Sequence, residues 1–157
     1  MIEVEISVAN KKHESFVYAT WLHSFKYNSY FCKRIKTSTF FKSHHDVINN
    51  LLERKTINIL VATPSGDREV VFGYLVYERG PIDTVHYIYI KKNFRGFKIA
   101  NKLISEAKID LTSLCNFSHW SFDADWIIQK FPMLVYDPYL MFKEKIWQDQ
   151  VDPNKIP

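Results

Sequence analysis

A chain of 157 residues, 46% hydrophobic and 16% aromatic, is the size of one domain with a sizeable core, and it is too apolar to be disordered. Four Gly and six Pro exclude a fibrous or low-complexity class, and a net charge of +4 allows a polyanionic partner such as nucleic acid without demanding one. Cys32 and Cys115 lie far apart with no CxxC pair, which speaks against a zinc site or a disulfide framework and for reduced, inert thiols.

Met1 to Glu5 carries no basic-then-apolar leader, and no apolar run reaches membrane-spanning length, so the expectation is a soluble, cytoplasmic protein. Ile2, Val4, Ile6 and Val8 alternate with Glu3, Glu5 and Ser7, which predicts a strand over 2–8. Asn10 suits a helix N-cap, and Phe16, Val17, Trp21 and Phe25 are spaced for an amphipathic helix over roughly 12–25. Tyr27 to Phe31 is aromatic and irregular. A second helix, capped by Thr37, Ser38 or Thr39, carries one stripe of Phe40, Phe41, His44, Val47, Ile48, Leu51 and Leu52. His44 and His45 diverge in direction on such a helix and have no carboxylate at zinc-like spacing, so they read as packed or exposed and not as metal ligands.

Strands follow at 56–63 and 69–78, with turns at Pro64–Asp67 and Glu78–Pro81, and a third run opens at Thr84. Short turns between such runs predict an antiparallel meander. A helix over about 97–111 then allows parallel pairing for the next strand, Asn116 to Trp120. Ser121, with Asp123 and Asp125 in the first turn, starts a short helix that ends near Lys130. Met133–Tyr136 and Tyr139–Phe142 read as a final hairpin around Asp137-Pro138, and the polar tail from Glu144 to Pro157 is expected to pack weakly.

The chain is organised around Thr84 to Glu106. Val85, Tyr87 and Tyr89 alternate with His86, Ile88 and Ile90 as in a strand, and Ile99, Ala100, Leu103, Ile104 and Ala107 recur at helical spacing. Between them lies the basic loop Lys91-Lys92-Asn93-Phe94-Arg95-Gly96-Phe97-Lys98. A strand feeding a helix through such a loop leaves backbone N–H groups unpaired at the positive end of the helix dipole, which makes an anion site. This stretch resembles the cofactor motif of the GNAT acyltransferases, Arg/Gln-x-x-Gly-x-Gly/Ala, with Arg95 and Ala100 at its ends. Lys98 stands where that motif has its middle Gly, a residue that allows close backbone approach. The predicted order, β-α-α-β-β-β-α-β-α-β-β, is similar to the whole GNAT order over residues 2–142. WLHSF, GYLVYE, VHYIYIKKNFRGFKIA, SHW and VYDPYL together resemble a group of small GNAT-like proteins encoded by bacteriophages.

The resemblance implies a single α/β domain with a mixed, mostly antiparallel sheet that splays into a V, binding acetyl-CoA and passing its acetyl group directly to an amine. It implies that Arg95, Gly96, Phe97, Lys98, Ile99 and Ala100 hold the pyrophosphate, that the backbone of Ile88, Tyr89 and Ile90 holds the pantetheine arm and polarises the thioester, and that Tyr27–Phe31 lies over the acceptor pocket. An aimed N–H would stabilise the charge that develops on the carbonyl. The position that bears a carboxylate in many members is Thr84, next to Asp83, so the base falls to His86, whose ordinary pKa near 6.5 suits the task, or to His119 on the next strand. Tyr139, or else Tyr136, is the candidate acid for the leaving thiolate. Each of these also reads as an ordinary structural residue: a sheet histidine, or a Tyr with its ring in the core. Two other functions stay open at this stage: a GNAT-like interaction protein without turnover, and an acyltransferase acting on nucleic acid. No GxSxG, P-loop or HExxH motif is present.

Overall fold

The computed structural model describes residues 3–142 and forms one six-stranded sheet with helices on both faces. The strands are β1 (Val4–Val8), β2 (Ile57–Pro64), β3 (Gly73–Glu78), β4 (Thr84–Ile90), β5 (Cys115–Phe117) and β6 (Leu134–Tyr136), and they lie in the order of the chain. The first four are antiparallel; β5 joins β4 in parallel, and β6 joins β5 in parallel. The antiparallel meander and the parallel return after the motif helix are both as the sequence indicates.

Alternation along the meander divides the core in two. Val61, Tyr74, Val76 and Tyr87 face helices α1 (Glu14–Asn28) and α2 (Thr37–Leu52), where Trp21, Phe25, Phe40 and Ile48 close the layer. Leu60, Ala62, Leu75 and Tyr77 face α3 (Ile99–Glu106), which contributes Ile99 and Leu103. A fourth helix, α4 (Phe122–Lys130), links β5 to β6. Burying one such large apolar side chain stabilises the fold by roughly 1.5–3 kcal/mol, so both layers are needed.

Several boundaries differ from the sequence reading, each for a local reason. Asn10 does cap, but it caps a single 3-10 turn, Lys11–His13, in a reciprocal box: its side chain accepts from Lys12 N–H, and its own N–H donates to His13 Nδ1. Thr37 to Thr39 are not caps. Lys36 occupies that position with no side-chain hydrogen bond, and the threonines already lie in the first turn. β3 begins at Gly73 and not at Glu69, because Asp67 holds the preceding segment by accepting from Glu69 N–H at 3.0 Å. α3 is shorter than 97–111. Lys98 enters it, and Lys108 leaves it, in left-handed conformations, and bonds from Lys108 N–H to Ser105 O and from Ile109 N–H to Ile104 O close its end. The expected strand at Tyr139–Phe142 is instead a 3-10 turn, Pro138–Met141, with Asp137 accepting from Tyr139 N–H. Pro138 at its start and the Asp137 cap favour a turn over a ladder. No hairpin with β6 therefore forms among the described residues, and the tail from Glu144 lies outside them.

Gly73, at the start of β3, lies against the end of β4. A Cβ built there would sit 2.5 Å from Tyr89 O and 2.6 Å from Ile90 Cδ1. Gly73→Ala is therefore expected to destabilise the fold by about 1–3 kcal/mol, read as a lower urea midpoint at unchanged slope. An unchanged midpoint would show that the two strands separate freely.

Candidate active site

β4 is paired along its whole length on one side only. Toward β5, the pairing is limited to Thr84 with Asn116 and Val85 with Phe117, supported by bonds from Asn116 N–H to Asp83 O and Ser118 N–H to Val85 O. The register with β3 shifts at this point: Val85 opposes Tyr77, Tyr87 opposes Val76, and His86 is the extra residue. Such a bulge bends a strand and increases its twist. Beyond it, β4 and β5 part, and a cavity of about 400 Å³ opens between them. Ile88, Tyr89 and Ile90 form its β4 wall, with Asn101 and Ile104 of α3 on one side of the sheet and Ser24 and Asn28 of α1 on the other. The gap thus reaches both faces. The bond from Lys91 N–H to Phe72 O sets the alternation, so Tyr89 pairs toward β3 while the backbone of Ile88 and Ile90 points into the gap.

The basic loop closes one end of the gap. Lys92–Phe94 make a 3-10 turn, and Phe94 stacks on Phe72 with ring centroids 4.0 Å apart. Arg95 lines the gap and donates from Nε to Ile90 O at 3.1 Å. Gly96 has φ of 90°, a value costly for other residues, and Lys98 has φ of 59° and ψ of 25°. Lys98 thus adopts the left-handed conformation that glycine reaches most easily. Ala100 lines the gap, Phe97 is half exposed, and the Ile99 side chain is buried in the α3 layer, so Ile99 can offer only its backbone to a ligand. Among the described residues, no three His, Cys, Asp or Glu side chains are placed to hold a metal ion together.

His86 and His119 both line the gap, and the structure ties them together. Ser118 Oγ lies 2.7 Å from His86 Nδ1 and 2.8 Å from His119 Nδ1. His119 Nε2 meets His44 Nε2 at 2.9 Å, and His86 Nε2 meets Glu78 Oε1 at 2.9 Å. Burial lowers the pKa of all three histidines: His44 to about 4, His119 well below its ordinary value with His44 and His86 adding to the effect, and His86 despite the opposing pull of Glu78. Burial raises the Glu78 carboxyl, but hydrogen bonds from His86 and Thr56 and the charge of Arg54 outweigh it, and the net value falls to about 2. Arg54 donates to Glu78 Oε1 at 3.0 Å, to Leu140 O at 2.9 Å and to Phe142 O at 2.5 Å. Both nitrogens of His86 are therefore engaged, and His86 offers no free lone pair to the gap. Sequence reading passed over Glu78, Ser118 and Arg54. Glu78 had looked like a turn residue, and nothing local marks Ser118.

The tyrosines fall elsewhere. Tyr139 lines a second cavity of about 910 Å³, with Arg54, Thr56, Glu78 and Thr84, and is not brought to the gap. Tyr136, on β6, packs against Phe117 and Trp120. Tyr87 is buried, stacks on Trp21 and meets Ser24 Oγ at 2.5 Å. Tyr30 and Phe31, in the aromatic segment after α1, are exposed. His45 is exposed and stacks on Tyr18, while His44 is buried, so the pair does diverge. Cys32 and Cys115 are free; Cys32 is only partly buried, and burial pushes the Cys115 thiol up to about 11, which leaves it unreactive at neutral pH.

No protein-family model matches the chain, and no curated protein does. Solved structures do match. One, named a possible acetyltransferase from Clostridium difficile 630, is 15% identical with a TM-score of 0.56 over 87% of this chain and 93% of its own. The PaiA N-acetyltransferase from Thermoplasma acidophilum, solved with coenzyme A, is 14% identical with a TM-score of 0.50 over 68% and 70%. A GNAT family acetyltransferase from Brucella melitensis, solved with acetyl-CoA, is 15% identical with a TM-score of 0.50 over 69% and 68%. At these identities the likeness is one of architecture: the chain has the GNAT acetyltransferase fold. No helix among the described residues is long and apolar enough to cross a membrane.

The buried histidines make stability depend on pH. His44 is neutral in the fold down to about pH 4, whereas in the unfolded chain it charges near 6.5. Between these values the unfolded state binds more protons, so stability falls as pH drops through the window, by roughly 3 kcal/mol for His44 alone. Calorimetry from pH 7 to 4.5 should show a falling Tm for the parent and a shallower fall for His44→Gln. Parallel curves would mean that His44 takes up its proton in the fold at the same pH as in the unfolded chain.

Proposed function

We propose that the chain is an acetyl-CoA-dependent N-acyltransferase that moves an acetyl group directly to an amine. The observation that carries this reading is the unpaired edge of β4, which leads from the His86 bulge to the N-terminus of α3 inside a gap open to both faces of the sheet. The residues suit the cofactor: Ile88 and Ile90 leave backbone groups unpaired by β3, and the loop at Arg95–Ala100 ends at a helix N-terminus. The solved GNAT neighbours that hold CoA or acetyl-CoA lend support at the level of the fold.

Acetyl-CoA supplies an activated thioester. In this reading the N–H groups of Gly96 to Ala100 and the charge of Lys98 bind its pyrophosphate, and Arg95 braces the loop against Ile90 O. The β4 edge at Ile88 to Ile90 orients the pantetheine arm, and one N–H there stabilises the carbonyl oxygen as it gains charge. The amine approaches past Ser24 and Asn28 on the α1 side. His119, which lines the gap, is the side-chain group that receives the amine's proton at Nε2, giving up its hydrogen bond with His44 as it does so. The donor to the departing thiolate is not assigned to Tyr139, which lines the other cavity.

Millimolar CoA is expected to raise Tm, since a ligand held only by the native state stabilises it. Absence of a shift would overturn this function. Lys98→Gly and Lys98→Ala should weaken CoA binding by the same factor, more at low salt, because each loses the ammonium. Only Lys98→Gly should also gain stability, by about 1 kcal/mol, because it relieves the left-handed backbone.

A further inference from the structure

The stretch from Ser15 to His45 holds five lysines and arginines and no aspartate or glutamate. Its bounding acids are distant from its middle: Glu14 starts α1, and Asp46 lies in the second half of α2. At the end of α1 and in the connection to α2, Tyr27 is 46% exposed, Tyr30 56% and Phe31 84%. Lys33, Arg34 and Lys36 follow directly and are exposed as well. None of these three cations is in an ion pair among the described residues. A single exposed ring is ordinary, whereas three rings edged by three cations without a counter-ion mark a contact surface.

The backbone beneath these groups is fixed from within. Cys32–Arg34 form a 3-10 turn, closed by bonds from Lys33 N–H to Ser29 O, Arg34 N–H to Phe31 O and Ile35 N–H to Cys32 O. Lys26 reaches under the turn and donates from Nζ to Cys32 O at 2.8 Å and to Lys33 O at 2.9 Å. Lys26 is only 3% exposed, and no carboxylate pairs with it among the described residues. Burying an ammonium without a counter-ion is costly, and a mere connection between two helices does not require it. Its effect is to order the backbone of Phe31, Lys33 and Arg34 before any partner arrives, which lowers the entropy cost of binding one.

We propose that this surface docks a single-stranded nucleic acid. Bases stack on Phe31 and on the Tyr27 and Tyr30 rings, and phosphates meet Lys33, Arg34 and Lys36. Rings interleaved with cations suit an unpaired strand of any sequence, because every base has a π-face and every linkage a charge. A duplex keeps those faces inside its own stack. An acidic peptide would use the cations and leave the rings without a partner of their kind. A lipid surface would take the cations too, but would have no use for flat rings over aliphatic side chains. Asn28, inside the same segment, lines the gap, so a bound strand runs along its mouth on the α1 side. The docking stands apart from the acyl-transfer reading, since it needs neither CoA nor turnover.

Fluorescence anisotropy with a labelled twelve-residue oligothymidylate and the full chain tests it. The parent should bind the strand, and bind a duplex of the same length less tightly. With three cations on phosphates, log Kd should rise with log salt at a slope of about 2, and Lys33→Gln, Arg34→Gln and Lys36→Gln should each lower that slope by about 0.7. Phe31→Ala should weaken binding by roughly fivefold to a hundredfold, as lost base stacking does. Phe31→Leu, which keeps an apolar side chain and removes the ring, should weaken it nearly as much. Lys11→Gln, at the other end of α1, should bind like the parent. All these side chains are exposed, so each variant is expected to fold, and an unchanged Tm checks this. A parent that binds no strand at low salt would overturn the proposal. So would Phe31→Ala and Phe31→Leu variants that both bind like the parent, since the contact would then be charge alone. Equal or tighter binding to polyglutamate, or to vesicles of mixed neutral and anionic phospholipid, would overturn it in favour of an acidic peptide or a lipid surface.

Discussion

The structure turns on one unmade set of hydrogen bonds. A strand inside a sheet normally satisfies its backbone on both edges, and an unpaired buried N–H or C=O costs about as much as a lost hydrogen bond. β4 satisfies only one edge past Val85, because the extra residue at His86 bends it away from β5. The two apolar layers hold that strained arrangement in place. Tyr87 is clamped between Trp21 and Ser24 on the α1 side, and the α3 layer packs against Val85, Ile88 and Ile90. Arg95 satisfies one carbonyl of the free edge, that of Ile90, and the remaining groups are what a ligand's amide could pair with.

Most of the architecture was legible because it follows from period. Alternation in TVHYIYI, helical spacing in the stripe from Phe40 to Leu52, and short turns between the runs led to the right elements in the right order. Places where the reading failed are those where a single residue acts against its type. Lys98 and Lys108 take backbone conformations usual for Gly, so the limits of α3 could not be seen from composition. Tyr139–Phe142 alternates well enough for a strand, but Pro138 and the Asp137 cap curl it into a turn, and Tyr139 is carried to the wrong cavity for the role expected of it.

The candidate site was half visible. Its loop and its β4 wall are contiguous in the chain, and contiguous features can be read. The histidine cluster is not contiguous: it gathers α2, β3, β4 and the end of β5, and no spacing rule links His44 to His119 or Glu78 to His86. Both histidines proposed from sequence do reach the gap, yet both nitrogens of each are already hydrogen-bonded. The bulge decides this, since it inserts His86 out of the alternation and toward Ser118.

Arg54 adds a constraint of a different kind. Its guanidinium reaches Glu78 with one nitrogen, and with its two terminal nitrogens it reads the carbonyl oxygens of Leu140 and Phe142. Those contacts recognise a backbone path and are blind to the side chains along it. Substitutions at Leu140 and Phe142 that preserve the turn would therefore go unnoticed by the charge at Glu78, whereas an insertion of one residue there would pull two acceptors from Arg54 at once. The letters at Leu140 and Phe142 can thus vary where the spacing between their carbonyls cannot.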